Sequence, residues 1–386
     1  MARAEITLTA NTAVGSEGSE GRGGGRSILG LVNRRIVTML AALAPVVALG
    51  VLGTTVKVPF VALGPGPTFN TLGETDVDED GEIVRKPVVE IEGAAVDPTS
   101  GNLNMTTVAV RDRLTLFDAL GLWASGRQSL VPREEVYPPQ KSKDEVQEEN
   151  SAQFARSENA AELAALRYLN LPVAVQIGTV GSDGPAAGVL QEGDLVLRVG
   201  GTPVDTVQGL QDVVGAAGAG STVDITYVRD GVETTTPVTL GSRPPADGDS
   251  VDDANRGYLG VGAKEVPNVP FTIDFNLADI GGPSAGLMFS LAVIDKLSPG
   301  ELNGGNFVAG TGTIDPEGDV GPIGGIPHKL IAAQEAGATT FLVPAKNCDE
   351  ALANKPDGLT LVKVETLSGA IDALAEIDAG RPAPAC

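Results

Sequence analysis

Hydrophobic and polar positions divide this chain into stretches of different rhythm. Ile36 to Val56 runs 21 residues without a charge. As a helix it would be about 31 Å long, enough to cross a hydrocarbon core of roughly 30 Å. Arg34 and Arg35 directly precede it, and the positive-inside tendency places the N-terminus in the cytoplasm and everything after Lys57 outside. A cleaved signal peptide is the rival reading. Signal apolar regions run about 7–15 residues, and the best small-x-small site here, Ala42-Leu43-Ala44, is followed by Pro45, a poor residue after a cut.

The stretches on either side differ in kind. Residues 1–35 are rich in Gly, Ser, Glu and Arg and read as a disordered tail. After the apolar run, Val58 to Val61 precede a turn-rich Gly64-Pro65-Gly66-Pro67, and alternation predicts strands at Val88–Ile91 and Leu103–Val110. Residues 139–152 are highly charged and read as a solvated loop. Residues 157–169 have Ser157 as an N-cap and Ala161, Leu163, Leu166 and Leu169 at near-helical spacing. Short β-rich runs fill 173–240, with a helix near 205–216. Residues 241–257 combine Pro, Gly and acidic residues without periodicity and read as a linker at a domain boundary.

Composition narrows the picture. The 386 residues suffice for two or three domains, and 42% apolar residues are enough to bury a core. Fifty glycines and 26 prolines with 4% aromatics favour turns and short strands over long bundles. The net charge is −23; in residues 1–35 five arginines against three glutamates give +2, so the remainder carries −25. An acidic body repels phosphate backbones and argues against nucleic acid as a partner. Two cysteines and one histidine argue against a structural zinc site, and no metal or cofactor is implied.

Two glycine-framed segments carry candidate chemistry. Residues 281–286, Gly-Gly-Pro-Ser-Ala-Gly, place Ser284 at the mouth of an apolar helix. There small neighbours admit a substrate, and free backbone N–H groups can hold an oxyanion. Residues 321–334, GPIGGIPHKLIAAQ, put Lys329 in a first helical turn amid Ile326, Leu330 and Ile331. Lysine serves as a base only when burial lowers its pKa well below about 10.4. Alone, each segment also fits an ordinary N-cap serine or an ordinary surface lysine. His328 would point about 100° away from Lys329 on a helix, so a surface or cap role is assigned to it.

Together GGPSAG, GTGTI at 310–314 and GPIGGIPHKLIAA resemble the proteolytic domain of Lon proteases, over roughly residues 258–375. The resemblance implies Ser284 as nucleophile, Lys329 as general base, Thr311 as the residue orienting the lysine, and supporting positions at Gly282 and Ala285. The family usually carries Asp at the position of Gly281 and Thr or Ala at that of Met288; Asp279 or Asp274 are the candidates to compensate. No GxxxxGK[ST] occurs in the chain, so the ATPase of typical Lon is missing from it.

Pro185-Ala186-Ala187-Gly188, Leu190-Gln191-Glu192-Gly193-Asp194 and Val199-Gly200-Gly201-Thr202-Pro203-Val204 resemble a bacterial PDZ domain. Such modules bind peptides by strand addition. The resemblance implies a capturing loop near Tyr168–Pro172, with Leu169, Asn170, Leu171 and Pro172. With the anchor, the whole is similar to the PDZ–Lon proteins of Gram-positive bacteria. It implies an α+β chain: an N-terminal transmembrane helix, a PDZ-like β-rich module and a Lon-type proteolytic α/β domain. The expected divisions are a disordered cytoplasmic tail at 1–35, the transmembrane helix at 36–56, and an extracytoplasmic mixed region at 57–165 that could belong to the protease fold. The PDZ domain is expected at 166–241 and the Lon-type domain at 257–380.

The implied activity is ATP-independent endopeptidase action at the cell membrane on envelope or membrane proteins. The implied partners are protein or peptide substrates, lipid around a single span and, as an open question, further copies of the chain. A silent PDZ scaffold is the competing reading, with Gly281 as its support. Outside the cytoplasm Cys348 and Cys386 could form a disulfide, the alternative being two free thiols.

Overall fold

The computed structural model describes residues 34–79, 81–243, 255–277 and 280–386. The expected tail to residue 33, most of the 241–257 linker and Asp279 lie outside them. Helix α1, Arg34–Thr55, forms a unit by itself. Its Ile36–Thr55 segment has a mean hydropathy of 2.4, long and apolar enough to cross a membrane.

The second unit, Lys57–Cys386, begins with β1 (Phe60–Asn70) and β2 (Asn102–Arg111). Next come α2 (Leu116–Ala124), β3 (Ser129–Pro132) and α3 (Lys143–Tyr168). The expected turn at 64–67 is instead part of β1. Its ladder with β2 shifts register between Pro65 and Thr68, so the prolines fall at a bulge. The expected loop at 139–152 is mostly α3. Ser142 and Glu145 form a capping box at its start, and Ser157 is not a cap but a buried residue in mid-helix.

A second group of elements follows: β4 (Val173–Val180), β5 (Leu195–Val199), α4 (Val207–Ala217), β6 (Thr222–Arg229), β7 (Val232–Thr239) and β8 (Val261–Pro267). They form a sheet in the order β7-β6-β5-β4-β8. Its core joins Val175, Ile177, Val196, Val199, Leu210 and Ile225. Asp194, 1% exposed, is held by both Arg229 Nε and Nη2 at 2.7 Å.

The chain then enters α5 (Gly286–Leu297), β9 (Phe307–Gly310), β10 (Thr313–Ile314), β11 (Val320–Gly321) and α6 (Ile326–Ala336). It closes with β12 (Thr340–Pro344), β13 (Thr360–Val364) and α7 (Leu367–Asp378). The main sheet runs β13-β12-β9-β2-β1-β3. β9 lies parallel between β12 and β2, with Asn102 opposite Phe307 and Met105 opposite Gly310. One sheet is thus built from residues 60–132 and 307–364, and the second sheet lies between them in sequence.

Beyond the 241–257 linker, β8 pairs along its length with β4 and completes that second sheet. Arg167 of α3 ties β8 to the turn between β10 and β11. It donates to Glu265 of β8 at 3.0 Å and to the Pro316 carbonyl at 2.8 Å, while Glu265 accepts the Val207 N–H at the start of α4 at 2.8 Å. Cys348 and Cys386 form a disulfide, and the tail it holds runs beside β13, where Lys363 N–H donates to Pro384.

Candidate active site

Ser284 stands one residue before Ala285, the N-cap of α5, whose first N–H groups lack intrahelical acceptors. The Leu287 N–H goes to the Gly312 carbonyl at 3.2 Å, and the Gly312 N–H to the Ser284 carbonyl at 3.0 Å. The 310–312 segment is therefore stitched to the serine turn by backbone hydrogen bonds. α5 approaches α3 closely: a Cβ on Gly286 would lie 3.0 Å from Ser157 Oγ. That hydroxyl donates to the Pro283 carbonyl at 3.0 Å, one residue before Ser284.

Lys329 reaches Ser284 from α6. Gly325 caps this helix in the left-handed region, φ 75°, and an added Cβ would lie 2.7 Å from Val108 of β2. Glycine therefore lets the first turn of α6 press against the sheet. Lys329 is 2% exposed, and its Nζ donates to Ser284 Oγ at 2.7 Å and Thr311 Oγ1 at 2.8 Å. The Thr311 hydroxyl in turn donates to the Ser284 carbonyl at 3.0 Å. Burial pulls the Lys329 pKa down to about 7. An amine so placed can take a proton from Ser284 near neutrality.

A cavity of about 640 Å³ opens on the pair. Met105, Val108, Phe154, Ile280 and Ile323 supply its apolar walls, with Gly281 to Ala285 along one side. Phe154 from α3 is a site residue that the sequence reading missed. Its signal was a lone aromatic three turns into a charged stretch.

Gly281 also has a spatial explanation, since a Cβ there would lie 2.8 Å from the Cβ of Asn150. Helix α3 stands where the family's aspartate would start, and the structure gives Asp274 no hydrogen bond to Ser284 or Lys329. His328 is corrected. It is 5% exposed, and burial lowers its pKa, so it belongs to the interior rather than to a surface or a cap.

The expected capturing loop lies between two elements. Leu169 to Pro172 connect α3 to β4, Leu169 and Leu171 pack on the main core, and β4 is flanked by β5 and β8. The edge strands of that sheet are β7 and β8. Beside β8 lies a groove of about 450 Å³ between α4 and residues 257–263, lined by Leu210, Val214, Leu259 and Val261, with Arg243 and Arg256 at its rim.

Residues 279–375, which hold Ser284, Thr311 and Lys329, match the Lon protease (S16) C-terminal proteolytic domain, and residues 145–240 match the PDZ domain family. The chain joins a PDZ domain to a Lon-type proteolytic domain. Among its relatives, a Lon protease of Campylobacter jejuni is 39% identical over 95 residues, covering 24% of this chain and 12% of that protein. An archaeal Lon protease of Methanothermobacter thermautotrophicus is 36% identical over 112 residues, covering 28% and 17%. Lon protease 2 of Bacillus subtilis is 33% identical over 93 residues, covering 24% and 16%. The match therefore spans under a fifth of these relatives' own length. The main sheet also extends beyond the matched residues, because β1, β2 and β3 belong to it.

Proposed function

We propose that this chain is an ATP-independent serine endopeptidase, held at the cell membrane by α1 with its N-terminus cytoplasmic, that acts on envelope or membrane proteins. The observation that carries the reading is the buried Lys329 Nζ, 2.7 Å from Ser284 Oγ in an apolar cavity. In this mechanism neutral Lys329 accepts the Ser284 proton as Oγ attacks the scissile carbonyl carbon. N–H groups around Gly282 and Ala285 hold the developing oxyanion. The Lys329 ammonium then protonates the leaving amine, giving an acyl-enzyme. Lys329 next takes a proton from water as its oxygen attacks the acyl carbon, and returns that proton to Ser284 Oγ as the Oγ–acyl bond breaks and the carboxyl product leaves. Thr311 holds the amine in line through its bonds to Lys329 and to the Ser284 carbonyl.

Substrate tails would enter the groove between α4 and β8. There an extended peptide could add to the open edge of β8, with Arg256 or Arg243 near its carboxylate. The functional division is then one protease domain from 57–165 and 268–380, with the PDZ domain between.

A peptidase assay on the full chain tests the dyad. A rate that climbs about tenfold per pH unit and levels above about pH 7 is expected, since the base must be deprotonated. Ser284→Ala and Lys329→Arg should each abolish cleavage while leaving the fold intact, because arginine cannot deprotonate. Cleavage by Lys329→Arg at the wild-type rate would refute the dyad, and a folded wild type without activity would favour the silent scaffold.

A further inference from the structure

Helix α2 turns its largest apolar side chains outward. Leu116, Phe117, Leu120 and Trp123 are 44, 47, 51 and 67% exposed. At about 100° per residue these four share an arc of roughly 120° on one face. The opposite side is already used: Ala119 and Leu122 pack with Leu114, Ala62 and Leu130. The helix contains one charged residue, Asp118, and the N-cap engages it, because its carboxylate accepts both the N–H and the hydroxyl of Thr115. Two leucines, a phenylalanine and a tryptophan exposed together exceed the scattered apolar residues of an ordinary surface.

The position of this face indicates what covers it. Lys57, the second residue after α1 in sequence, pairs with Thr115, the N-cap of α2, and the Val58 N–H bonds to the Leu114 carbonyl at 2.9 Å. Phe60, 39% exposed, follows at once. The start of α2 is thus fastened to the first residues that leave the apolar span. We propose that α2 is a second, interfacial membrane contact, lying in the lipid surface with Leu116, Phe117 and Leu120 toward the acyl chains and Trp123 at headgroup depth. This rests on the reading of α1 as a membrane anchor. The acidic body gains nothing from anionic headgroups, so the contact is driven by apolar burial and is made with zwitterionic lipid.

Trp123 is the chain's one tryptophan and reports on its own surroundings. The full chain is reconstituted into phosphatidylcholine vesicles, with and without brominated acyl chains, and its emission is recorded. Blue-shifted emission with roughly twofold quenching by brominated lipid is expected for a ring at the headgroup–acyl boundary. The surface variant Phe117→Ser/Leu120→Ser should lose both signals while remaining with the vesicles and folded by circular dichroism. Three results would overturn the proposal. Emission typical of water in protein that stays with the vesicles leaves the anchor standing and removes the interfacial contact. Blue-shifted emission that brominated lipid does not quench means that protein, such as a second copy, covers the face. Loss of the protein from vesicles in an alkaline carbonate wash removes the anchor itself.

Discussion

Lys329 bonds to two hydroxyls and is buried, with desolvation as the cause of its lowered pKa. In the unfolded chain its pKa returns to about 10.4. Between about pH 7 and that value the unfolded state binds the extra proton, so this group's effect makes stability rise with pH across that window. Lys329→Met, similar in length and uncharged, should therefore be more stable than wild type near pH 7, by roughly 2–4 kcal/mol, with the gain fading toward pH ~10.5. Urea unfolding at both pH values checks this, and a Met variant less stable near pH 7 would contradict the burial cost. At this scale Ser284, Thr311 and Lys329 were legible because each sits in a glycine frame that allows close approach. Phe154, Ser157 and the burial of His328 were not, because they depend on neighbours distant in sequence.

Helix α3 was the element read least well. Its first turns are almost wholly polar, so hydrophobic periodicity begins only near Phe154. The signals for its true start are local: the Ser142–Glu145 capping box and a run of good helix formers. Farther along, Glu158 and Glu162 stand one turn apart with their pKa values raised to about 7. Burial is the cause for both, with the charge of Asp274 adding to it at Glu162. A raised carboxyl pKa has the opposite sign to a lowered lysine: the folded state holds the extra proton, and stability falls as pH rises from about 4.5 to about 7. Glu162→Gln should therefore stabilise the protein by about 1–2 kcal/mol at pH 8 and change little at pH 4, as read from thermal unfolding at both values. Equal stabilisation at the two pH values would place the cause elsewhere. Strand β8 was missed for a related reason: it follows the linker, where a domain boundary was expected.

For the whole molecule, local patterns identified the two kinds of domain, but the joining of residues 60–132 and 307–364 in one sheet depends on pairing between distant strands. The hydroxyl of Thr106 donates to the Gly310 carbonyl across 204 positions of sequence, and no local pattern encodes that. The disulfide closes a 38-residue separation and keeps the C-terminal tail along β13, an edge of the main sheet. Replacing both cysteines by serine should cost about 3–4 kcal/mol, the loop-closure value for that separation, and should free the tail to protease. Denaturant midpoints and limited proteolysis of the oxidised protein and the variant measure both effects. An unchanged midpoint would mean that packing alone holds the tail.

The placement of β9 beside β2 has a consequence for the order of events during synthesis. The strands of the PDZ sheet all lie within residues 173–267, so that sheet can close soon after it emerges. β1 and β2 emerge earlier but must wait for β9, while Ser284, Thr311 and Lys329 all arrive late and on separate elements. Under the proposed function, a growing chain would present a finished docking module while its cutting site is still in pieces. The nascent protein would hold a client before it could harm one, itself included.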